Sequence, residues 1–350
     1  MTRDVVSIEK VLNSRCSSGF KTGPEKNGHW GTFINHPPQK KVINRLLLCC
    51  NIPRFSNGKL LHWFKNGYLF LGFETPKDPH TERMLHIESG MQQEAVHLAC
   101  TAQGIGTCIR NQGINGTRYG EKIATARHLI MEMTNPYESG KFTTKTPGPE
   151  KPSRTSRNLS EPSRDSDVEC LPQLERLASF NKSGSSATKK DISQLLWAAK
   201  GRTPHHVKSH PWGLTIPTWG GGQNHTNIYL VKENKLFRYI NWTMDSFPFW
   251  RISSRAQRAF WWAVGNPTHD TRFLKKVSVS SQLDGANSAI ILTRNEKTNR
   301  ALWEVGYMLE NMFLQAKSLN ISYTSKIFDN DKITQMAKAG VSEAVATVLL

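Results

Sequence analysis

Leu302, Val305, Met308, Leu309, Met312, Phe313, Ala316 and Leu319 recur at steps of three and four, the signature of one apolar stripe on an amphipathic helix. This spacing predicts a long helix central to its part of the chain. Residues 88–106, "ESGMQQEAVHLACTAQGIG", align without a gap on residues 304–322, "EVGYMLENMFLQAKSLNIS", a shift of 216 positions that lays Gly90 on Gly306. Glu88 and Glu304, Glu94 and Glu310, Leu98 and Leu314, and Ile105 and Ile321 coincide. Upstream, "INRLLLCCN" (43–51) and "ISQLLWAAK" (192–200) share a second pattern. Each leads into an irregular stretch with Ile-Pro (Ile52-Pro53, Ile216-Pro217) and then an apolar strand, "GYLFLGF" (67–73) or "NIYLVKE" (227–233). Helix, irregular loop, strand and long helix therefore recur in one order. Such recurrence predicts a gene duplication that fused two homologous halves into a pseudo-symmetric pair. Chance likeness between amphipathic helices is the plainer alternative.

Between the copies the pattern breaks down. "ESGKFTTKTPGPEKPSRTSRNLSEPSRDSD" is rich in Pro, Ser, Thr and Lys and poor in large aliphatics, too little apolar surface to offset ordering. The expected organisation is a first half over 1–137, a flexible connector over 138–187 in which "CLPQLERLASF" can dock as a short helix, and a second half over 188–350. In "TIPTWGGGQNHTNIYLV" (215–231) three consecutive glycines precede a strand, which reads as a loose loop or as a cradle where a ligand approaches the backbone.

Composition narrows the classes. A chain of 350 residues with 37% hydrophobic residues can bury two cores, and no apolar run approaches the ~20 residues that cross a bilayer. The first twenty residues lack both a basic region and a continuous apolar stretch, so a cytosolic protein is expected. The cysteines form no CxxC pair and lie among apolar neighbours, which favours buried free thiols over disulfides or metal. "HHVKSH" (205–210) offers His205, His206 and His210 without a carboxylate or cysteine, so a solvated loop is expected and no metal site. A net charge of +18, from 46 Lys and Arg against 28 Asp and Glu, suits an anionic partner or simple solubility. The basic residues are scattered singly or in pairs, without a finger, heptad array or aromatic RNA-binding signature, so nucleic acid is an unlikely partner and a phosphate-bearing small molecule a better one.

The order of these motifs resembles the nitroreductase superfamily of flavin enzymes. "QLLWAAKG" (194–201), "TIPTWGGGQNHTNIYLV" and "VGYMLENMFLQAKSLNI" (305–321) are similar to its peptide-azoline dehydrogenase-like branch, and "SIEKVLNSRCSSGF" (7–20) with "GMQQEAVHLACTAQGIGTC" (90–108) resemble the same superfamily in the first half. The resemblance implies an α+β fold in which each of two duplicated halves carries a mainly antiparallel sheet flanked by helices. It also implies FMN held between the halves, which would act as a single-chain pseudo-dimer, with NAD(P)H the usual electron donor and a small organic or peptide substrate.

Carried onto this sequence, the family's Arg-x-Ser-x-Arg phosphate segment matches Arg15 and Ser17, while Gly19 stands at the second basic position. The family's Pro-Ser loop, lent by the opposite subunit, matches Pro217, Thr218, Trp219, Gly220 and Gly221. Its turn after the long helix matches Gly104 and Gly106, with Arg110 as the downstream basic candidate. In the first half "IPRFSNGK" fits the loop poorly, and in the second no Arg-x-Ser precedes the first helix and Asn320 and Ser322 replace the glycine pair. One intact flavin site and one decayed one are expected. No general acid or base can be named, and Trp261 or Trp262 lining the substrate side is a minor reading. The alternatives are a scaffold that keeps the fold without flavin, or a basic nucleic-acid-associated protein.

Overall fold

The computed structural model describes residues 6–15, 39–65, 68–110, 117–132, 159–203, 213–217, 225–243, 266–279, 283–286 and 288–350. Two short helices, α1 (Ile8–Ser14) and α2 (Lys40–Cys49), lead into a hairpin of β1 (Leu60–Lys65) and β2 (Tyr68–Glu74). The long α3 (Pro79–Ala102) follows, entered through Asp78, whose carboxylate accepts from Thr81 N, and Pro79 at its first turn. Next come β3 (Ile105–Arg110), β4 (Thr117–Tyr119) and β5 (Lys122–Glu132). They form one antiparallel sheet in the order β1-β2-β5-β3, with β4 also on β5.

The second half opens with α4 (Cys170–Leu174), β6 (Phe180–Asn181) and α5 (Lys189–Lys200), the last capped by a reciprocal Thr188–Asp191 box. A two-strand ribbon, β7 (Arg202–Thr203) and β8 (Gly213–Leu214), precedes β9 (Thr226–Lys232), β10 (Lys235–Thr243), β11 (Asn266–Lys276) and β12 (Ser288–Arg294). Then come the long α6 (Asn299–Leu319), β13 (Tyr323–Ile327), α7 (Asn330–Lys338) and β14 (Ala344–Leu349). Their antiparallel sheet has the order β11-β10-β9-β12-β14-β13-β6. The fold is α+β, with antiparallel sheets and helices between them.

The order β9-β12-β14-β13 repeats β1-β2-β5-β3: in each, a strand leads into the long helix, the strand after that helix lies two places along the sheet, and the last inserts between them, with β6 added outside β13 in the second half. This corrects one expected correspondence. "GYLFLGF", the strand directly before α3, matches β12 rather than "NIYLVKE", because β10 and β11 are inserted between β9 and β12.

The two long helices pack on each other through their glycines. A Cβ on Gly90 would come within 2.7 Å of Trp303 Cα, and one on Gly306 within 2.8 Å of Gly90 Cα, so only hydrogen fits at the crossing. The contacts are reciprocal: Gly90 meets residue 303 and Gly306 meets residue 87, each three positions before the partner glycine. Cross-helix bonds flank the crossing, from Tyr307 Oη to Gln93 Oε1 at 2.6 Å and from Trp303 Nε1 to His86 Nδ1 at 3.2 Å. The expected single stripe on α6 is too narrow, since Trp303, Tyr307, Glu310, Asn311, Leu314 and Gln315 are buried as well. With α3, α5 and the sheet around it, α6 has no wet face. One continuous apolar cluster runs through both halves.

Of the expected flexible connector over 138–187, residues 138–158 lie outside the described residues, while 159–187 are docked at particular points, with Cys170, Leu171, Leu174 and Leu177 buried and many of the others exposed. Ile8 N donates to Val168 O at 3.1 Å and Cys170 N to Val6 O at 3.0 Å, an antiparallel bridge pairing Ser7 with Glu169. Immediately after it α4 buries Cys170, Leu171 and Leu174 against α3 and α6, as α1 buries Ile8, Val11 and Leu12 against the same helices. A window rich in Ser and Pro can thus still dock where its few apolar residues fall at helical spacing. Cys49, Cys50, Cys100 and Cys170 are buried free thiols. Among the described residues no helix is long and apolar enough to cross a membrane.

Candidate functional site

Several polar side chains converge where α1, α3, α6, β3 and β5 meet the segment after β8. Arg15, the C-cap of α1, is 2% exposed and donates from Nε to Thr215 O at 2.9 Å and from Nη2 to Leu214 O at 2.8 Å. Its Nε also lies 3.7 Å from Glu94 Oε1 of α3. Asn311 of α6 donates from Nδ2 to Thr215 O and to Ala198 O, both at 3.1 Å. His97, three residues beyond Glu94 and so on the same helix face, packs edge-on against His128 of β5 with ring centroids 5.4 Å apart. His128 Nδ1 is 3.3 Å from Thr107 Oγ1 of β3.

What marks the cluster is unspent hydrogen-bonding capacity. Arg15 Nη1, both Glu94 oxygens, both ring nitrogens of His97, His128 Nε2 and Asn311 Oδ1 are buried without a hydrogen-bond partner. Buried polar atoms are satisfied in the great majority of cases, and each orphan costs about 1–3 kcal/mol. So many in one place fit a bound group rich in donors and acceptors. Burial also sets the charge. It pushes the Glu94 carboxyl up to about 8, the nearby Arg15 offsetting only part of the cost, holds His97 well below the usual imidazole range, and takes His128 down to about 3. At neutral pH the carboxyl is protonated and the imidazoles neutral, so the cluster presents a single cation among neutral hydrogen-bonding groups.

A pH-dependent stability follows. A carboxyl that keeps its proton when folded, up to about 8, but releases it near 4.5 when unfolded stabilises the fold fully at acid pH. That stabilisation is lost as pH rises through this window, by up to about 1.4 kcal/mol per pH unit. Glu94→Gln, which cannot ionise, is expected to gain stability relative to the wild type between pH 5 and pH 8, measured by urea unfolding at both. An unchanged difference would show Glu94 to be ionised in the folded protein.

The sequence-derived site residues are partly brought together. Arg15 of the first half grips the backbone of Leu214 and Thr215 in the second, and Pro217 is buried two residues further on. Gly104, at φ +70, turns the chain out of α3, and Gly106 in β3 pairs with Met131 directly before the cluster residue Thr107. Arg110 ends β3, its side chain outside the description. Ser17, Thr218, Trp219, Gly220 and Gly221 lie outside the described residues, as do His205, His206, His210, Trp261 and Trp262. Sequence reasoning missed Thr107, His97, His128 and Asn311. Glu94 alone carried a signal, as a carboxylate repeated at Glu310 within an apolar helix.

At the pseudo-equivalent position the chemistry differs. The shift of 216 that lays Gly90 on Gly306 lays Glu94 on Glu310, His97 on Phe313 and Thr107 on Tyr323. Phe313 and Tyr323 stack at 5.4 Å and 16°, with Phe55 6.4 Å from Phe313, and Tyr323 Oη donates to Ala178 O at 2.6 Å. Counting from the bridged pair Ser7 and Glu169, Arg15 corresponds to Leu177. Glu310 keeps a buried carboxylate whose Oε2 has no partner, but aromatic and aliphatic side chains surround it where the other half has Arg15, His97 and Thr107.

No protein-family model and no curated protein matches the chain. Solved structures with similarity to it include a candidate nitroreductase of Ralstonia eutropha JMP134, at 17% identity, covering 55% of this chain and 87% of that one, with a TM-score of 0.39. One from Anabaena variabilis ATCC 29413 is 11% identical over 81% of this chain and 68% of its own, with a TM-score of 0.49. A third, from Thermotoga maritima MSB8, is 10% identical over 100% of this chain and 96% of its own, with a TM-score of 0.42.

Proposed function

We propose that this chain is an FMN-dependent oxidoreductase of the nitroreductase-like class, a tandem pseudo-dimer that binds one flavin between its halves. The observation that carries the reading is the knot of buried, unpartnered polar atoms on Arg15, Glu94, His97, His128 and Asn311, drawn from both halves and next to the segment that begins the Pro-Gly loop. Flavin supplies hydride transfer at its N5, and the protein supplies orientation and electrostatics. Arg15 fixes the Leu214–Pro217 segment and keeps Nη1 for the cofactor. Thr218, Trp219, Gly220 and Gly221 would hold the ring, Gly104 and Gly106 would leave room for it, and Ser17 and Arg110 would bind the phosphate. NAD(P)H is the electron donor and the substrate is a small organic molecule or a peptide. The stacked Phe313 and Tyr323, with Leu177, favour a second site that takes no flavin.

A scaffold without flavin is the second reading. It is favoured by Arg15, most of whose guanidinium is already engaged by backbone carbonyls. The visible spectrum of the purified protein separates the two. Absorbance near ~450 nm from the cofactor is expected, at one flavin per chain, and a preparation that is colourless and takes up no added FMN would reject the enzyme. His97→Phe, which copies the other half, is expected to weaken FMN uptake about tenfold or more, the worth of a hydrogen bond lost to a buried site. Circular dichroism would confirm that this variant is folded.

A further inference from the structure

Where β9, β10 and β11 lie side by side, their register sets Lys232, Lys235 and Lys276 directly opposite one another. Residues so paired project to the same face about 5 Å apart, and like charges in that arrangement repel. Glu233 approaches Lys235 at 4.0 Å, but among the described residues neither Lys232 nor Lys276 forms an ion pair. The next row on this face is apolar: Leu230, Phe237 and Phe273. The Phe237 and Phe273 rings meet edge-on at 5.8 Å, and Phe273 is 51% exposed. Leu230, Lys232, Glu233, Lys235, Phe237 and Thr271 form one wall of a cleft of about 190 Å³, which Leu159, Lys189 and Ile192 help to line, so that three lysines face one carboxylate there. Phe273 and Lys276 continue the two rows on the neighbouring strand.

We propose that this cleft, with the strand beside it, binds an amphipathic monocarboxylate, its carboxylate among Lys189, Lys232 and Lys235 with Lys276 at the rim, and its apolar body on Leu230 and Phe237 towards Phe273. Both chemistries are unfavourable as they stand: a row of ammonium groups that Glu233 offsets only at Lys235, and an aromatic ring open to water. One ligand with a charged head and a greasy tail relieves both. The volume is below the roughly 300–1,000 Å³ of drug-sized sites, so a short chain or a single ring fits. The inference is independent of the flavin reading, since none of these residues belongs to the Arg15 cluster.

The test is a ligand-observed NMR titration of the full chain with hexanoate, and with hexanamide as the neutral control, at ~150 mM salt to screen non-specific attraction to a basic protein. Saturable hexanoate binding is expected, weakened about tenfold or more in Lys232→Gln/Lys276→Gln, as befits loss of charged hydrogen bonds. Hexanamide should not saturate, and Lys338→Gln, on α7, should bind hexanoate like the wild type. The double variant is expected to melt at a higher temperature than the wild type, so lost binding would not reflect unfolding. Absence of saturable hexanoate binding, equal binding of hexanamide, unchanged affinity in the double variant, or an equal loss in Lys338→Gln would each overturn the proposal.

Discussion

Gly306→Val is expected to cost more than about 3 kcal/mol, enough to leave most of the chain unfolded or insoluble, with urea unfolding as the measure. Overpacking a core commonly costs about 1–3 kcal/mol because neighbouring side chains can shift. Here the nearest atoms are backbone: Ile87 O, Met91 N and Gly90 Cα, all within α3. No rotamer change can make room, so the new side chain must push the two helices apart along their whole contact. Gly120→Ala is the contrast. Gly120 sits at φ +61 with nothing within 4 Å of an added Cβ, so its cost is the left-handed conformation alone, about 1–2 kcal/mol. Equal effects of the two substitutions would mean that the helix crossing tolerates a larger spacing.

Arg15→Ala is expected to be nearly as damaging, at about 3 kcal/mol or more, because it removes two hydrogen bonds from a charged donor worth roughly 1.5–3 kcal/mol each. It strands Leu214 O and opens a void, and leaves Thr215 O with Asn311 alone. Arg15→Lys restores the charge without the planar fork that reaches two successive carbonyls, so only partial recovery is expected in the same unfolding measurement. Because the effect is present without any cofactor, loss of flavin from Arg15→Ala would not isolate a phosphate contact. His97→Phe tests a cofactor contact more cleanly, since His97 makes no hydrogen bond through its ring that the substitution could break.

Gapless repetition of a helix can be read from one strand of sequence, and Gly90 and Gly306 were visible in that way. Arg15, Gly106 and Pro217 were also visible, because short motifs keep their order even where their geometry is unknown. Two kinds of fact were not. The first depends on register: nothing in the spacing of Lys232, Lys235 and Lys276 says that they stand in one row, since that follows from a tight turn after Lys232 and from a bulge between Leu236 and Phe237. The second depends on packing in three dimensions. His97 and His128 lie 31 positions apart with no pattern joining them, and become neighbours only when β5 inserts between β2 and β3. The short helix in "CLPQLERLASF" was legible, and α4 docks there through three buried side chains; the bridge between Ser7 and Glu169 that precedes it was not, because its flanking composition is that of a loop.

In a symmetric dimer each substitution is made twice, so a residue that improves the binding site in one copy must also be tolerated in the other. On the proposed reading of a fused pseudo-dimer, joining the two halves in one chain removes that constraint. His97 and Phe313 occupy equivalent positions but are encoded separately, so selection can act on one for its polarity and on the other for its bulk. On that reading the aromatic stack at Phe313 and Tyr323 would fill the core on the side that takes no flavin, a division of labour closed to any protein assembled from two copies of one gene product.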